Sequence, residues 1–185
     1  MSESYTAVGM VEFNSIAAGI DAADQMVKTA QVDPLFFKTI CPGKFVAAVT
    51  GDVAAVSASV NAGRENHADA LVDWFIIPNI HRDVIGALAG ATGITERGAL
   101  GIIETFSAAS IVVASDAAVK AADVQLLDVR VALGLGGKGY ALMTGDVAAV
   151  NAAVEAGSTA AAESGLLVSK VVIPSPAETV FEQIA

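Results

Sequence analysis

Apolar residues along this chain come in short runs set apart by polar or turn-forming residues, and the runs change period in an ordered way. Residues 7–13, AVGMVEF, form a β-rich apolar run. Ser15 follows as an N-cap, and Ile16, Ile20, Ala23 and Val27 then recur at helical spacing. This predicts a strand followed by a helix. Residues 36–50 are apolar but broken by Cys41-Pro42-Gly43, which predicts two strands around a tight loop. Gly51-Asp52 then caps a second helix through Val53, Val56 and Val60. Residues 71–77 read as a strand closed by Pro78, and residues 83–88 as a short terminal helix.

The same order returns in the second half. Ala7, Gly9, Glu12 and Ser15 recur as Ala99, Gly101, Glu104 and Ser107, about 92 residues later, and the register holds through Asp24/Asp116, Lys28/Lys120, Ala30/Ala122 and Val32/Val124. TGDVAAV occurs unchanged at 50–56 and at 144–150, so two residues are inserted in the second copy ahead of Gly137. A period this long is that of a duplicated domain, not of a solenoid. The small and polar residues 90–98 read as a linker, which places the domains at 1–92 and 93–185. The order β-α-β-β-α-β-α per half predicts an α+β fold: two tandem ferredoxin-like domains, each a small antiparallel sheet flanked by helices.

Composition narrows the function classes. Of 185 residues 54% are hydrophobic, enough for a buried core, yet only 5% are aromatic and the excess is alanine and valine. Mean hydropathy is +0.61, but no window of about 18 residues is free of charges or turn signals, which argues against a membrane span. Twenty acidic against ten scattered basic residues give a net charge of −10, a poor match to nucleic acid. One cysteine forms no disulfide within the chain, and the first residues lack the basic and apolar regions of an export signal. Cytosol is the expected compartment.

The motifs then point to one family. An A-x-G-x-x-E strand, a helix with D-x-x-x-K-x-A (preceded by alanine in the first half), a Gly-containing loop leading to G-D-V-x-x-V, and a strand ending in I-P occur in order in both halves. Ala23-Asp24, Lys28 and Ala30 answer to Asp116, Lys120 and Ala122, Gly51-Asp52-Val53 to Gly145-Asp146-Val147, and Ile77-Pro78 to Ile173-Pro174. In this the chain resembles the shell proteins of bacterial microcompartments over nearly its whole length. It is similar to the tandem (BMC-T) members, whose trimers imitate a hexamer. The resemblance implies a non-enzymatic structural tile in the microcompartment shell of the bacterial cytoplasm, partnered by other hexameric shell proteins. The stretches 38–45, KTICPGKF, and 78–81, PNIH, resemble the T-type shell proteins of propanediol-utilisation compartments, known for an iron–sulfur cluster at the central pore.

Cys41 would be the metal ligand. Taken alone, a free cysteine is ordinarily a small buried hydrophobe, and a [4Fe–4S] cluster needs several thiolates. Around a three-fold axis, one cysteine per chain provides three at one point, leaving the fourth iron to a non-protein ligand. Thr39, Ile40, Pro42, Gly43 and Lys44 are the expected pore-lining residues. Gly134, Leu135, Gly136 and Gly137 form the second pore loop, which lacks sulfur, so only alternate loops of the pseudohexamer would ligate. Such a cluster would pass electrons across the shell or be delivered to an encapsulated redox enzyme. The alternative is a tile whose pore conducts metabolites and holds no cluster.

The resemblance also assigns tile-edge contacts to Lys28, Lys120, Asn79 and His81. On their own, lysines of alanine-rich helices are solvated and of little energetic weight. Asn79 and Ser175 replace the arginine common after I-P, and Ala177 replaces the second histidine, which predicts weak self-tiling and a minor role in mixed sheets. Other motifs fall away. Residues 134–139 fit G-x-G-x-x-G but are followed by strand-like YALMT, Gly43-Lys44 and Gly137-Lys138 lack the Ser or Thr of a Walker loop, and no G-x-S-x-G is present. His67 reads as a solvated helix residue without a paired carboxylate.

Overall fold

The computed structural model describes residues 7–90, 92–93, 97–131 and 134–184. The first six residues, part of the expected linker and Leu133 of the second loop lie outside these. The chain forms two compact units. The first holds β1 (Ala7–Phe13), α1 (Ile16–Thr29), β2 (Asp33–Ile40), β3 (Lys44–Gly51), α2 (Val53–Glu65) and β4 (Leu71–Pro78). Ser107–Ala109 and residues 134–137 belong to it as well. The second unit holds α3 (Arg82–Leu88), β5 (Ala99–Thr105), most of α4 (Ala108–Ala121), β6 (Gln125–Val131), β7 (Gly139–Gly145), α5 (Val147–Glu163), β8 (Leu167–Ile173) and α6 (Glu178–Ile184).

Each sheet is four-stranded and antiparallel, in the orders β2-β3-β1-β4 and β6-β7-β5-β8. The α+β fold with two repeats expected from the sequence is the one observed. Strand β1 lies between two neighbours and is buried at every position, so it reads as a continuous apolar run and not as an alternation. Helix packing explains its glycine. A Cβ at Gly9 would lie 2.4 Å from Val60 and 2.7 Å from Val56, so α2 rests directly on the strand backbone; Gly101 keeps the same place open for Val154. Conserved geometry also ties the strand ends: Thr50 donates to the Ala7 carbonyl at 2.9 Å and Thr144 to that of Ala99 at 2.9 Å.

The helix caps follow the sequence. Ser15 accepts from the Ala18 amide at 3.3 Å and Asp52 from that of Ala55 at 2.9 Å. The orientation of α1 does not. Its buried residues are Ala18, Gly19, Ala22, Ala23 and Met26, whereas Ile16, Ile20 and Val27 are 39%, 55% and 37% exposed. Small residues face inward because the helix sits close to the sheet, with no room at Gly19 for a Cβ beside Phe45 (2.6 Å).

Helix α3 follows the first repeat in sequence, yet it belongs to the second unit, where Val84 and Ala87 are buried and the helix packs on β6. His67, read as a helix residue, lies in the turn after α2, and its Nε2 is 2.8 Å from Asp21 Oδ2. That carboxylate is 46 residues away in sequence, beyond any local spacing. Among the described residues no helix is long and apolar enough to cross a membrane.

Candidate functional site

Strands β2 and β3 are joined by a three-residue turn, Cys41, Pro42 and Gly43. The Cys41–Pro42 peptide is cis, the Gly43 amide donates to the Ile40 carbonyl at 3.1 Å, and Gly43 has φ +86°, a conformation glycine adopts without steric cost. This brings Cys41 to the tip of a narrow hairpin. Its thiol is free and half-buried, while Pro42 and Gly43 are exposed.

The residues predicted to line the pore divide into two sets. Thr39, Pro42 and Gly43 are exposed at the loop. Ile40 is only 4% exposed, an anchor under the turn, and Lys44 turns inward. The Lys44 ammonium lies 2.8 Å from Glu12 Oε1, and Glu12 is fully buried. The other Glu12 oxygen accepts from the amides of Ala108 (2.8 Å) and Ala109 (3.2 Å), which belong to the same compact unit. A carboxylate holding one ammonium and two amides at a helix start is well compensated for burial. The base of the cysteine hairpin is thereby fixed.

The second glycine loop meets the first. Gly134, Gly136 and Gly137 have φ of +73°, +61° and +89°, Gly134 and Gly136 are exposed and Leu135 is half-buried. Gly137 is buried, and a Cβ there would lie 3.0 Å from Pro42 Cδ, 3.5 Å from the Cys41 carbonyl oxygen and 3.6 Å from Lys44 Nζ. Its backbone is the surface against which the Cys41-Pro42 turn rests. Sequence reading assigned these glycines to a second pore loop without sulfur and did not foresee their contact with the first. The repeated pairing of Glu12 with Lys44 and of Glu104 with Lys138 was the available signal for the supporting ion pair.

Lys38, three residues before the cysteine, holds its ammonium 4.4 Å from the centre of the Phe36 ring, and burial lowers its pKa. On the second sheet the matching Arg130 instead joins Asp128 at 2.7 Å. Tyr140 donates to the same carboxylate at 3.2 Å, and burial, reinforced by that charge, raises the phenol's pKa.

The residues expected at tile edges are separately placed. Lys28 pairs with Asp24 at 2.5 Å on an exposed helix face. Lys120 pairs with Asp116, also at 2.5 Å, and Asp116 accepts from the His81 amide at 2.8 Å, so Lys120 and His81 meet at one carboxylate. His81 caps α3, and Asn79 sits at φ +52° in the exposed turn before it.

Among the described residues no group of three or more His, Cys, Asp or Glu is arranged to hold a metal within one chain. A single accessible thiol on a braced loop can act in two ways: as one ligand of a centre shared between chains, or as a reactive side chain at a constriction.

Comparison with known proteins finds relatives along the length of the chain. The chain is 46% identical over 178 residues to the bacterial microcompartment shell protein PduT of Citrobacter freundii, covering 96% of this chain and 97% of that protein. It is 51% identical over 78 residues to the shell protein EutM of Salmonella typhimurium, covering 42% of this chain and 79% of EutM. The crystal structure of a microcompartments protein from Desulfitobacterium hafniense DCB shares 51% identity and superposes with a TM-score of 0.84, covering 95% of this chain and 98% of that one. Residues 7–80 and 99–176 each match the BMC domain, and with both sheets built in the same strand order the chain belongs to that family as a tandem pair of domains.

Proposed function

We propose that the protein is a facet tile of a bacterial microcompartment shell, in the bacterial cytoplasm, in which three chains close around an axis and imitate a hexamer. The first hairpins then converge, and three Cys41 thiolates hold one [4Fe–4S] cluster. The observation that carries this reading is the placement of Cys41: the chain's one thiol stands half-exposed at the tip of a hairpin whose base is fixed by Glu12–Lys44 and whose flank rests on Gly137. PduT, which is similar over almost the full length of both chains, is a shell protein.

The donor set fits such a group. Thiolate is the protein ligand iron–sulfur clusters use, and with one thiol per chain three chains supply three. The cluster would contribute one-electron redox chemistry. This chain's own residues bring the sulfur to the hairpin tip, keep the turn narrow with Pro42 and Gly43, and hold its register through Ile40 and Lys44. The proposed role is electron transfer across the shell, or cluster delivery to an encapsulated enzyme, without turnover of a substrate. Its partners are two further copies and hexameric shell proteins of the same sheet.

The test is anaerobic reconstitution with iron and sulfide. The wild type should gain visible charge-transfer absorbance and a cluster signal in electron paramagnetic resonance after reduction, and Cys41→Ser should gain neither while keeping its oligomeric mass. A wild type that stays colourless, with a pore that passes small metabolites in a reconstituted sheet, would replace this reading by that of an open conducting tile.

A further inference from the structure

Two positive side chains of this acidic protein stand apart from the rest. Eight of its ten lysines and arginines pair with a carboxylate. Among the described residues Lys38 and Arg64 do not, and each lies over an aromatic ring instead. Lys38 is half-buried against Phe36. Arg64 lies on Trp74, its guanidinium carbon 4.0 Å from the ring centre, and this indole is 40% exposed.

Both residues belong to the first unit. Arg64 stands in the last turn of α2, and Trp74 lies in β4 opposite the fully buried Val11. Val72 and Ile76, two positions to either side on the same face of the strand, are half-buried, so β4 offers an apolar strip with a cation at its centre. The second repeat is built differently. There Lys170 stands at the position of Trp74 and pairs with Glu155, while buried Ser158 stands at that of Arg64. The domain therefore folds without the stacked pair, and packing gives no reason for an exposed tryptophan here.

The chemistry of the pair is that of recognition. Stacked on the indole, a guanidinium keeps its N–H edge for a planar anion, and tryptophan and arginine are the side chains that dominate protein interfaces. Strand β4 is outermost in its sheet, which suits an extended segment laid along it. A net charge of −10 repels densely charged polyanions such as nucleic acid, whereas one guanidinium matches a segment whose carboxylates are spaced among apolar residues.

We propose that Arg64 and Trp74 form a docking platform for an extended segment of a partner protein, in which a carboxylate takes the N–H edge of Arg64 and an apolar neighbour covers the indole. The platform adds a partner surface to the tile. It shares no residue with the cysteine hairpin and needs no cluster.

Trp74 is the chain's one tryptophan, so its emission reports on the platform in the full-length protein. The probe is a blocked peptide alternating glutamate and valine. It should shift the emission to saturation, with Cys41→Ser and Lys170→Ala binding as the wild type does. Arg64→Gln should weaken the affinity by about tenfold, the loss of a charge-assisted hydrogen bond. Calorimetry should find a loss of similar size in Trp74→Ala, without recourse to fluorescence. A wild type that gives no shift, or gives an equal one with a lysine–valine peptide, free glutamate or an oligothymidylate, would overturn the platform. So would Arg64→Gln binding as tightly as the wild type. Neither result bears on iron retention by Cys41, which is read separately.

Discussion

Lys38 is held against the Phe36 ring with its ammonium partly removed from water, and burial lowers its pKa below the ordinary 10.5. The folded chain therefore releases that proton before the unfolded chain does. Between the lowered value and 10.5 the unfolded state binds more protons, so the contribution to stability rises with pH across that window, and below it the burial cost is fully present. Lys38→Met should be the more stable protein at pH 7, and its advantage should shrink as pH approaches 10.5. Paired urea titrations read this difference directly, since the opposing titration of Tyr140, whose pKa is raised, is common to both proteins. Gly137 makes a second residue-scale prediction. Its φ of +89° disfavours any side chain, and an alanine Cβ would press on Pro42 at 3.0 Å. Gly137→Ala should cost about 2 kcal/mol, seen as a lowered melting temperature, and should reduce the iron retained after reconstitution. A substitution at exposed Gly134, which meets nothing within 4 Å, should lose stability from its φ alone and keep its iron.

Elements divide into those a local pattern specifies and those it does not. Strand β1, the Ser15 and Asp52 caps and the break at Cys41-Pro42-Gly43 were all legible, because each depends on residues within a few positions of one another. The inward face of α1 was not, since helical spacing marks Ile16, Ile20 and Val27 as readily as Ala18, Ala22 and Met26. Only the closeness of the sheet at Gly19 selects the small face. The hairpin and its thiol were legible as a candidate site, whereas its supports were not. Glu12 finds Lys44 at a sequence separation of 32 and Ala108 at 96, and Gly137 meets Pro42 from the other repeat. The two glutamates accordingly differ in weight. In Glu12→Gln the amide oxygen still accepts from the two helix amides, but the Lys44 ammonium loses its counter-charge and meets an NH2 donor, so unfolding free energy should fall by about 3 kcal/mol. The half-exposed Glu104 should change it by less than about 1 kcal/mol, and urea unfolding of the two variants side by side measures the gap.

For the whole molecule, acidity and small-residue packing acquire a purpose. In the proposed trimer three chains of net charge −10 would keep tiles apart before assembly, and glycines at positions 9, 19 and 101 let the helices rest directly on the sheets. Asn79, Ser175 and Ala177 depart from the family pattern, so purified protein should form few extended sheets by electron microscopy but enter sheets when co-expressed with a hexameric shell protein. The central claim is that one thiol per chain becomes a three-thiolate site by symmetry. Native mass spectrometry of the anaerobically reconstituted protein measures this most directly. The predicted species is three chains carrying one [4Fe–4S] cluster, reduced to three bare chains by Cys41→Ser. Three wild-type chains without added mass, or iron bound to single chains, would contradict it.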